Sequence, residues 1–467
     1  MSWLLPASLA LAQDFAIDRA PVERYQLDNG LRVVLQRDAR QPRVAGVVAY
    51  GVGSRDDPAG YRGLAHLVEH MTFRGSRHLK DGEAFGTLEA LGAHVNAVTA
   101  PDHTFYYASV PAHHLPRLLW VESERMAFTL EAMDDKTFEI EREVVINEWR
   151  QRRYGVGGRI DEFIAHASLP EGHPYRHVSD YEQDLSRMRF DDVRGFYQRH
   201  YRPDNAVLVL VGNFELEAAR ALIERYFGPV RALPPEHPRR PAPAVRLGGE
   251  QRMVVRSRVP RPQLQVHWQV PCRNPRCAAT LQLVRSLLVG DMESSLRRWL
   301  VQEGLGTGAR MGTGAYAHHL HVSVHATLQR QADPLAVLAG IDRELGLVRM
   351  GRVKPEDLRN AQLGYAARAL RTQDDPVFRA LDLAMYADME ELDVLEAVMA
   401  MTPESLGQAV RELLPRDRRL VVEVQRAPGA PLGGAIESID GELAPKALAI
   451  DAATRDAAAQ AGAEASP

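Results

Sequence analysis

His66, Glu69 and His70 are the residues whose types and spacing point most directly to chemistry. Two imidazoles four residues apart stand on one face of a helix, a turn from each other, and can hold one metal ion between them. The run that carries them, Gly63-Leu-Ala-His-Leu-Val-Glu-His-Met-Thr-Phe73, has a second stripe. Leu64, Leu67, Val68 and Met71 fall at i, i+3, i+4 and i+7, one apolar face for a core. His66, Glu69, His70 and Phe73 repeat that spacing about 200° further round. One side of such a helix packs; the other presents two imidazoles and a carboxylate.

A hydrolytic zinc ion takes three protein ligands and keeps one position open for water. The helix at Glu139-Ile-Glu-Arg-Glu-Val-Val-Ile-Asn-Glu-Trp149 offers Glu139, Glu141, Glu143 and Glu148 as the third. Glu141 and Glu148, seven apart, lie about 20° from one another in projection and two turns apart, while Glu139 and Glu143 point away. Trp149, Val144 and Val145 mark where this helix docks. Glu148 is assigned as the third ligand and Glu141 as a carboxylate that orients a histidine from behind. Glu69 then serves as general base, taking a proton from water that the metal acidifies and passing it to a leaving amine.

These helices sit in a chain of two similar halves. Short strands flank an Asn29-Gly30 turn, a near-continuous apolar run covers Val44–Val52, and the His66 helix follows. A helix over Lys80–Leu91, strands at Ala93–Thr99 and Thr104–Pro111, helices at His114–Phe128 and Asp135–Arg153, a helix at Asp191–Tyr201 and a strand at Asn205–Gly212 complete the first half. The order then repeats: strands at Met253–Val259 and Leu264–Val270, a helix at Ala278–Leu288, a strand at His318–Leu328, paired helices at Pro334–Leu347 and Pro355–Arg371, a helix at Pro403–Leu414 and a strand at Arg419–Val424. The fold class is α+β, with two homologous α/β sandwich domains of mostly antiparallel sheet and packed helices, duplicated within the chain. The boundaries are residues 22–232 for the metal-bearing domain, 233–250 for a proline- and arginine-rich linker, 251–428 for a second domain without the metal motif, and 429–467 for a largely disordered tail rich in Ala, Gly and acidic residues.

Composition removes several classes of function. A formal net charge of −4 over 467 residues leaves no electrostatic footprint for nucleic acid, and no apolar run is long enough to span a membrane. Residues 1–12 read as a secretory signal lacking its basic start, with a small-x-small site at Ala10-Leu11-Ala12; export to a periplasm or beyond is expected, against a cytoplasmic alternative. Cys272 and Cys277 are compatible with a loop-closing disulfide or with two free thiols.

The chain resembles the insulinase/pitrilysin inverzincin family, which includes the mitochondrial processing peptidases. The likeness rests on residues Gly63–Ser76, Asn96-Ala-Val-Thr99, Thr104-Phe-Tyr-Tyr107, Glu141-Arg-Glu-Val-Val145, Glu148 and the stretch Asp191–Gly212. It is specific across residues 22–230 and, over 250–425, lies mainly in the order of elements. It implies one zinc ion per chain, peptide-bond hydrolysis and a hollow chamber between paired two-domain halves. It also implies that the strand at Gly92–Thr99 is an open sheet edge to which substrate peptide adds as a further strand, with Asn96 and Ala97 in contact. The second half departs from the pattern. Family members that complete the site in one chain resemble Leu-Arg-x-x-x-Gly-Leu-x-Tyr, whose Arg and Tyr hold the substrate carbonyl and oxyanion. Here Val301 and Thr307 stand at those positions, with one residue deleted, and neither supplies such a donor. A second inverzincin-like subunit that supplies Arg and Tyr is therefore expected as partner.

His318, His319, His321 and His325 place three imidazoles on one strand face without a carboxylate or cysteine, so a half-exposed strand is expected there rather than a metal site. The glycines at 304, 306, 308, 312 and 314 lack a phosphate-cradle spacing and read as a flexible loop. The leading expectation is a zinc endopeptidase for peptides or unfolded segments, in a heterodimer. Its rivals are a non-catalytic assembly subunit of the same descent and a maturation protease dedicated to one secreted peptide.

Overall fold

The computed structural model describes residues 20–179, 181–231, 245–272, 274–317, 319–385, 387, 394–431, 433–440 and 448–450. The signal segment 1–12, most of the linker, His318 and the end of the tail lie outside the described residues. The first six-stranded sheet contains β1 (Val22–Gln26), β2 (Arg32–Arg37), β3 (Arg43–Tyr50), β4 (His94–Thr99), β5 (Thr104–Pro111) and β6 (Ala206–Gly212), in the order β1-β2-β6-β3-β5-β4. Beyond β7 (Val245–Leu247), the second sheet contains β8 (Gln251–Ser257), β9 (Gln263–Val270), β10 (Gly306–Ala315), β11 (Leu320–Leu328), β12 (Leu420–Arg426) and β13 (Ala435–Asp440), in the order β10-β11-β9-β12-β8-β13. Each sheet has one parallel pair, β2 with β6 and β8 with β12, and is otherwise antiparallel.

Laid over one another, the sheets place β4 where β10 stands, β5 where β11 stands and β3 where β9 stands, so the duplication expected from the sequence is real. It is permuted at one edge. In the first half β1, ahead of β2 in the chain, forms the edge; in the second half that place goes to β13, which comes last. The sheet thus draws its edge strand from beyond residue 428, and β7, within the stretch read as linker, pairs with β14 (Leu448–Ile450).

Both faces of the central strands are buried, which explains their unbroken apolar runs. Along β3, Val44, Val48 and Tyr50 face a core built with the first-half helices, while Ala45, Val47 and Ala49 face the other way. Four helices organise the rest: α1 (Leu64–Met71), α2 (Asp135–Tyr154), α3 (Ile160–Ser168) and α4 (Pro376–Met385). The opposite face of the first sheet is covered by α4, a second-half helix, through Ala380, Leu383 and Ala384. Reciprocally, α3 from the first half lays Ile160, Phe163, Ile164 and Ala167 against Met253, Val255, Leu420, Val422 and Val424 of the second sheet. Each half therefore lends a helix to the other.

A polar contact joins the halves at a second point. Asp102, buried in the β4–β5 turn, accepts hydrogen bonds from the Tyr175 hydroxyl at 2.7 Å and from the backbone N–H of Ala317, in the β10–β11 turn, at 2.9 Å; its Oδ1 lies 3.2 Å from Nε of Arg55. A disulfide ties Cys272 to Cys277 in the first turn of the helix Pro275–Val289, which Asn274 caps through its side-chain oxygen.

The glycine-rich stretch read as a flexible loop is β10, an edge strand. Ala309 and Met311, 6% and 7% exposed, reach into the core and pin it by period-two alternation, while Gly308, Arg310, Gly312 and Gly314 take the other face. Four glycines at that spacing hid the alternation.

Removing apolar contact from an exchanged helix should weaken the half it does not belong to. Leu383→Ala is expected to lower the unfolding free energy by about 2–5 kcal/mol. A reduced urea midpoint, together with faster amide exchange in β3 and β6, would be the signature.

Candidate metal centre

α1 begins after Gly63, whose φ of +96° is a conformation suited to glycine. The buried Asp57 carboxylate accepts the N–H of Gly63 at 2.7 Å and of Ala65 at 2.8 Å, satisfying two free donors at the helix start and setting a negative charge against its positive end. Leu64, Leu67, Val68 and Met71 then bury their stripe in the first-half core. This rotation leaves His66 and His70 partly exposed on the opposite side.

α2 crosses that side. Val145, Ile146 and Trp149 are buried along its docked face; Val144, expected with them, is 37% exposed. Glu148 comes to 3.5 Å from Nε2 of His66 through one oxygen and 3.7 Å from Nε2 of His70 through the other. One donor atom from each of the three lies within 4.8 Å of the others, a group that stands alone among the described residues. Two imidazole nitrogens and a carboxylate at that spacing would suit a small cation such as zinc, which takes three such protein ligands in hydrolytic sites.

Glu141, two turns earlier on α2, is 3% exposed and holds Nδ1 of His70 at 3.0 Å through one oxygen; the other oxygen accepts from Arg74, whose Nε lies at 2.8 Å. Burial pushes the Glu141 carboxyl up, but the hydrogen bonds from His70 and Arg74 outweigh it and hold the group below its ordinary range. An ionised carboxylate only accepts, so it keeps the His70 proton on Nδ1 and leaves the Nε2 lone pair toward Glu148. On the other imidazole, the Arg152 guanidinium lies 3.5 Å from Nδ1 of His66.

Glu69 is 8% exposed and accepts a hydrogen bond on Oε2 from the Thr99 hydroxyl at the end of β4. Behind it, Tyr106 and Tyr201 hydrogen-bond hydroxyl to hydroxyl at 2.9 Å, and burial holds both far above the ordinary phenol range. Asn96 and Ala97 lie on β4, which among the described residues pairs only with β5. The Ala97 N–H is taken by the Asn96 side-chain oxygen at 2.8 Å, a bond that a strand added at this edge would displace.

A cavity of about 1340 Å³ connects these groups to the second half. His66, Glu69, His70, Asn96, Ala97 and Glu148 line one wall; His267, Arg310, His321 and His325 line the opposite one. The histidine pattern differs from its expectation in one respect. His319 precedes β11 and is buried in the turn against Tyr175 and Tyr316, so it does not share the face of His321 and His325; His267 of β9 joins them, its Nδ1 3.0 Å from Nε2 of His321. Of the groups the sequence did not single out, Arg74 and Arg152 had a visible signal, each four residues beyond His70 and Glu148. Asp57 and His267 had none, because loop and sheet geometry bring them in, and Thr99 stood only as the last residue of the Asn96–Thr99 run.

Two descriptions of one family match the chain: insulinase (peptidase family M16) over residues 32–153 and the peptidase M16 inactive domain over residues 187–365. An uncharacterised zinc protease of Mycobacterium tuberculosis is 29% identical over 359 residues, 74% of this chain and 78% of that protein. A protease from Helicobacter pylori has the same fold, with a TM-score of 0.80 at 22% identity over 87% of this chain and 100% of that one. The periplasmic protease PqqL from Escherichia coli is also alike in fold, with a TM-score of 0.72 at 19% identity over 88% of this chain and 48% of that chain. The chain thus belongs to the insulinase/pitrilysin family, peptidase family M16, and has its duplicated two-domain fold.

Glu141→Gln should weaken zinc binding by about 10–100-fold, as loss of a histidine-orienting carboxylate does elsewhere, measurable by competition with a chromophoric chelator. A second expectation concerns the far wall. Burial pushes His321 and His325 down to about 4, the latter with help from Arg310. The unfolded chain takes up these protons near its ordinary histidine value of about 6.5. The stability they leave intact above that pH is lost progressively as pH falls toward 4. The double variant His321→Gln/His325→Gln should flatten denaturant midpoints across that range.

Proposed function

We propose that this chain is a zinc endopeptidase acting on peptides or unfolded segments, with His66, His70 and Glu148 as metal ligands and Glu69 as general base. The observation that carries this reading is the position of Glu69: a carboxylate beside a three-donor cluster, facing a cavity closed by the second half. Zinc, when bound, lowers the pKa of water and polarises the scissile carbonyl. The chain's own groups do the rest. Glu69, steadied by Thr99, accepts the proton of the attacking water and returns it to the leaving amine. Glu141 keeps His70 in the tautomer that ligation requires. The β4 edge takes the peptide backbone as an added strand at Asn96 and Ala97, which aligns it without reading much of its sequence. A chamber of this size admits extended chain and turns folded proteins away.

The same reading makes the chain one subunit of a pair. Val301 is 48% exposed, and neither it nor Thr307 is among the residues lining the cavity. The partner is then a second family-like subunit that brings Arg and Tyr to the substrate carbonyl. The twofold greater length of PqqL, whose chain this one covers to 48%, fits two such units in one active molecule. Export is part of the proposal, and the Cys272–Cys277 disulfide supports it, since such bonds persist in oxidising compartments. A purely structural subunit would have no need of Glu69 and three donors together, which favours the enzyme over that rival.

Glu69→Gln separates base from ligands. Zinc content should stay near one per chain while kcat/KM on an unstructured peptide falls by about 10²–10⁴-fold; normal cleavage by this variant would sink the mechanism. Full activity of the wild-type chain purified alone would rule out the partner.

A further inference from the structure

The cavity wall opposite the metal centre carries a cation that the proposed hydrolysis does not use. Arg310 stands on β10, the free edge of the second sheet, with its side chain on the cavity face. Its neighbours on that face are Gly308, Gly312 and Gly314. A side chain at Gly308 would meet nothing within 4 Å and one at Gly314 nothing nearer than 3.7 Å, while one at Gly312 would meet the Ser323 hydroxyl at 3.1 Å, so the space beside the guanidinium is open on the Gly308 side. Directly across the ladder, Arg310 is paired with His325, and its Nη2 lies 3.1 Å from Nδ1 of that imidazole. A neutral ring accepts this hydrogen bond and fixes the guanidinium plane without cancelling its charge.

Of the other arginines lining the cavity, Arg62, Arg74 and Arg153 are spoken for by Asp184, Glu141 and Glu162, Arg176 donates to the Leu169 carbonyl, and Arg152 lies against His66 beside the metal-donor cluster. Arg310 makes no ion pair among the described residues. Asp161, at the start of α3, is the carboxylate that feels its charge, across a gap that no salt bridge spans. An oriented guanidinium with unused N–H groups and no carboxylate within salt-bridge distance is suited to one kind of guest, a planar carboxylate bound through two parallel hydrogen bonds.

We propose that Arg310, held by His325, is a specificity residue that binds a carboxylate of the peptide while its scissile bond lies at the metal centre. The carboxylate comes from an Asp or Glu side chain or from the peptide's C-terminus. This proposal rests on the peptidase reading. It differs from the oxyanion role expected of a partner's Arg, because Arg310 meets a charge the substrate already has, not one that develops during reaction.

The test measures binding, so it does not depend on turnover. Zinc-loaded, full-length Glu69→Gln is titrated by fluorescence anisotropy with three labelled peptides of one parent sequence: one with an internal Glu and a free C-terminus, one with the C-terminus amidated, and one amidated with Glu replaced by Gln. The titrations are repeated with Glu69→Gln/Arg310→Gln. Loss of the guanidinium should weaken the first peptide by about tenfold or more and leave the third unaffected. The amidated Glu peptide then names the source: retained sensitivity means the side chain, lost sensitivity the C-terminus. Equal weakening of all three peptides, or of none, would overturn the proposal. Should none of the three bind the zinc-loaded Glu69→Gln chain with Arg310 intact, binding of peptide by this chain's own β4 edge falls and takes this proposal with it.

Discussion

The buried carboxylate of Glu141 is the interaction on which the geometry of the centre depends. One oxygen holds His70 in the last turn of α1 and the other holds Arg74, three residues past its end, so a single side chain of α2 fixes how that end of α1 sits against it. Glu148, seven residues further along α2, is thereby delivered to His66 and His70. A buried, ionised carboxylate without partners would carry a large desolvation penalty, so the bridge tolerates little displacement. The metal-donor set is precise because the contact behind it is.

The second half contributes no donor to that set, yet the site is a cavity only because of it. The wall facing the donor cluster is the polar half of the second sheet, with His267, Gln269, Arg310, His321 and His325 turned toward the first half. The apolar half of the same face is spent on α3. One sheet face is thus divided between structure and solvent-filled chamber along the line where hydrophobic side chains give way to imidazoles.

Much of this was legible in the sequence. α1 could be read because its apolar and polar stripes are both complete within one run, and Glu148 because helical projection separates it from Glu139 and Glu143. The duplication showed in the order of elements, since strands buried on both faces leave unbroken apolar runs. The exchanged helices were another matter. Ile160, Phe163, Ile164 and Ala167 have a plain helical spacing, but nothing local says that their stripe docks on the other half. β10 was hidden by its glycines, and His267 by the distance in sequence from the strand that carries its neighbours. What local periodicity encodes was readable; what sheet order brings together was not.

The exchange of α3 and α4 also bears on how the chain reaches this structure. The outer face of the first sheet, with Val47, Val207 and Val209, stays bare until the polypeptide has been made as far as Leu383 and α4 can return to it. Completion of the first half is thus the most non-local event in the molecule, the kind that slows folding and prolongs exposure of sticky strands. A nascent chain of this design is best kept unfolded until its last third is in hand, and a truncated product would present an apolar sheet to whatever lies nearby.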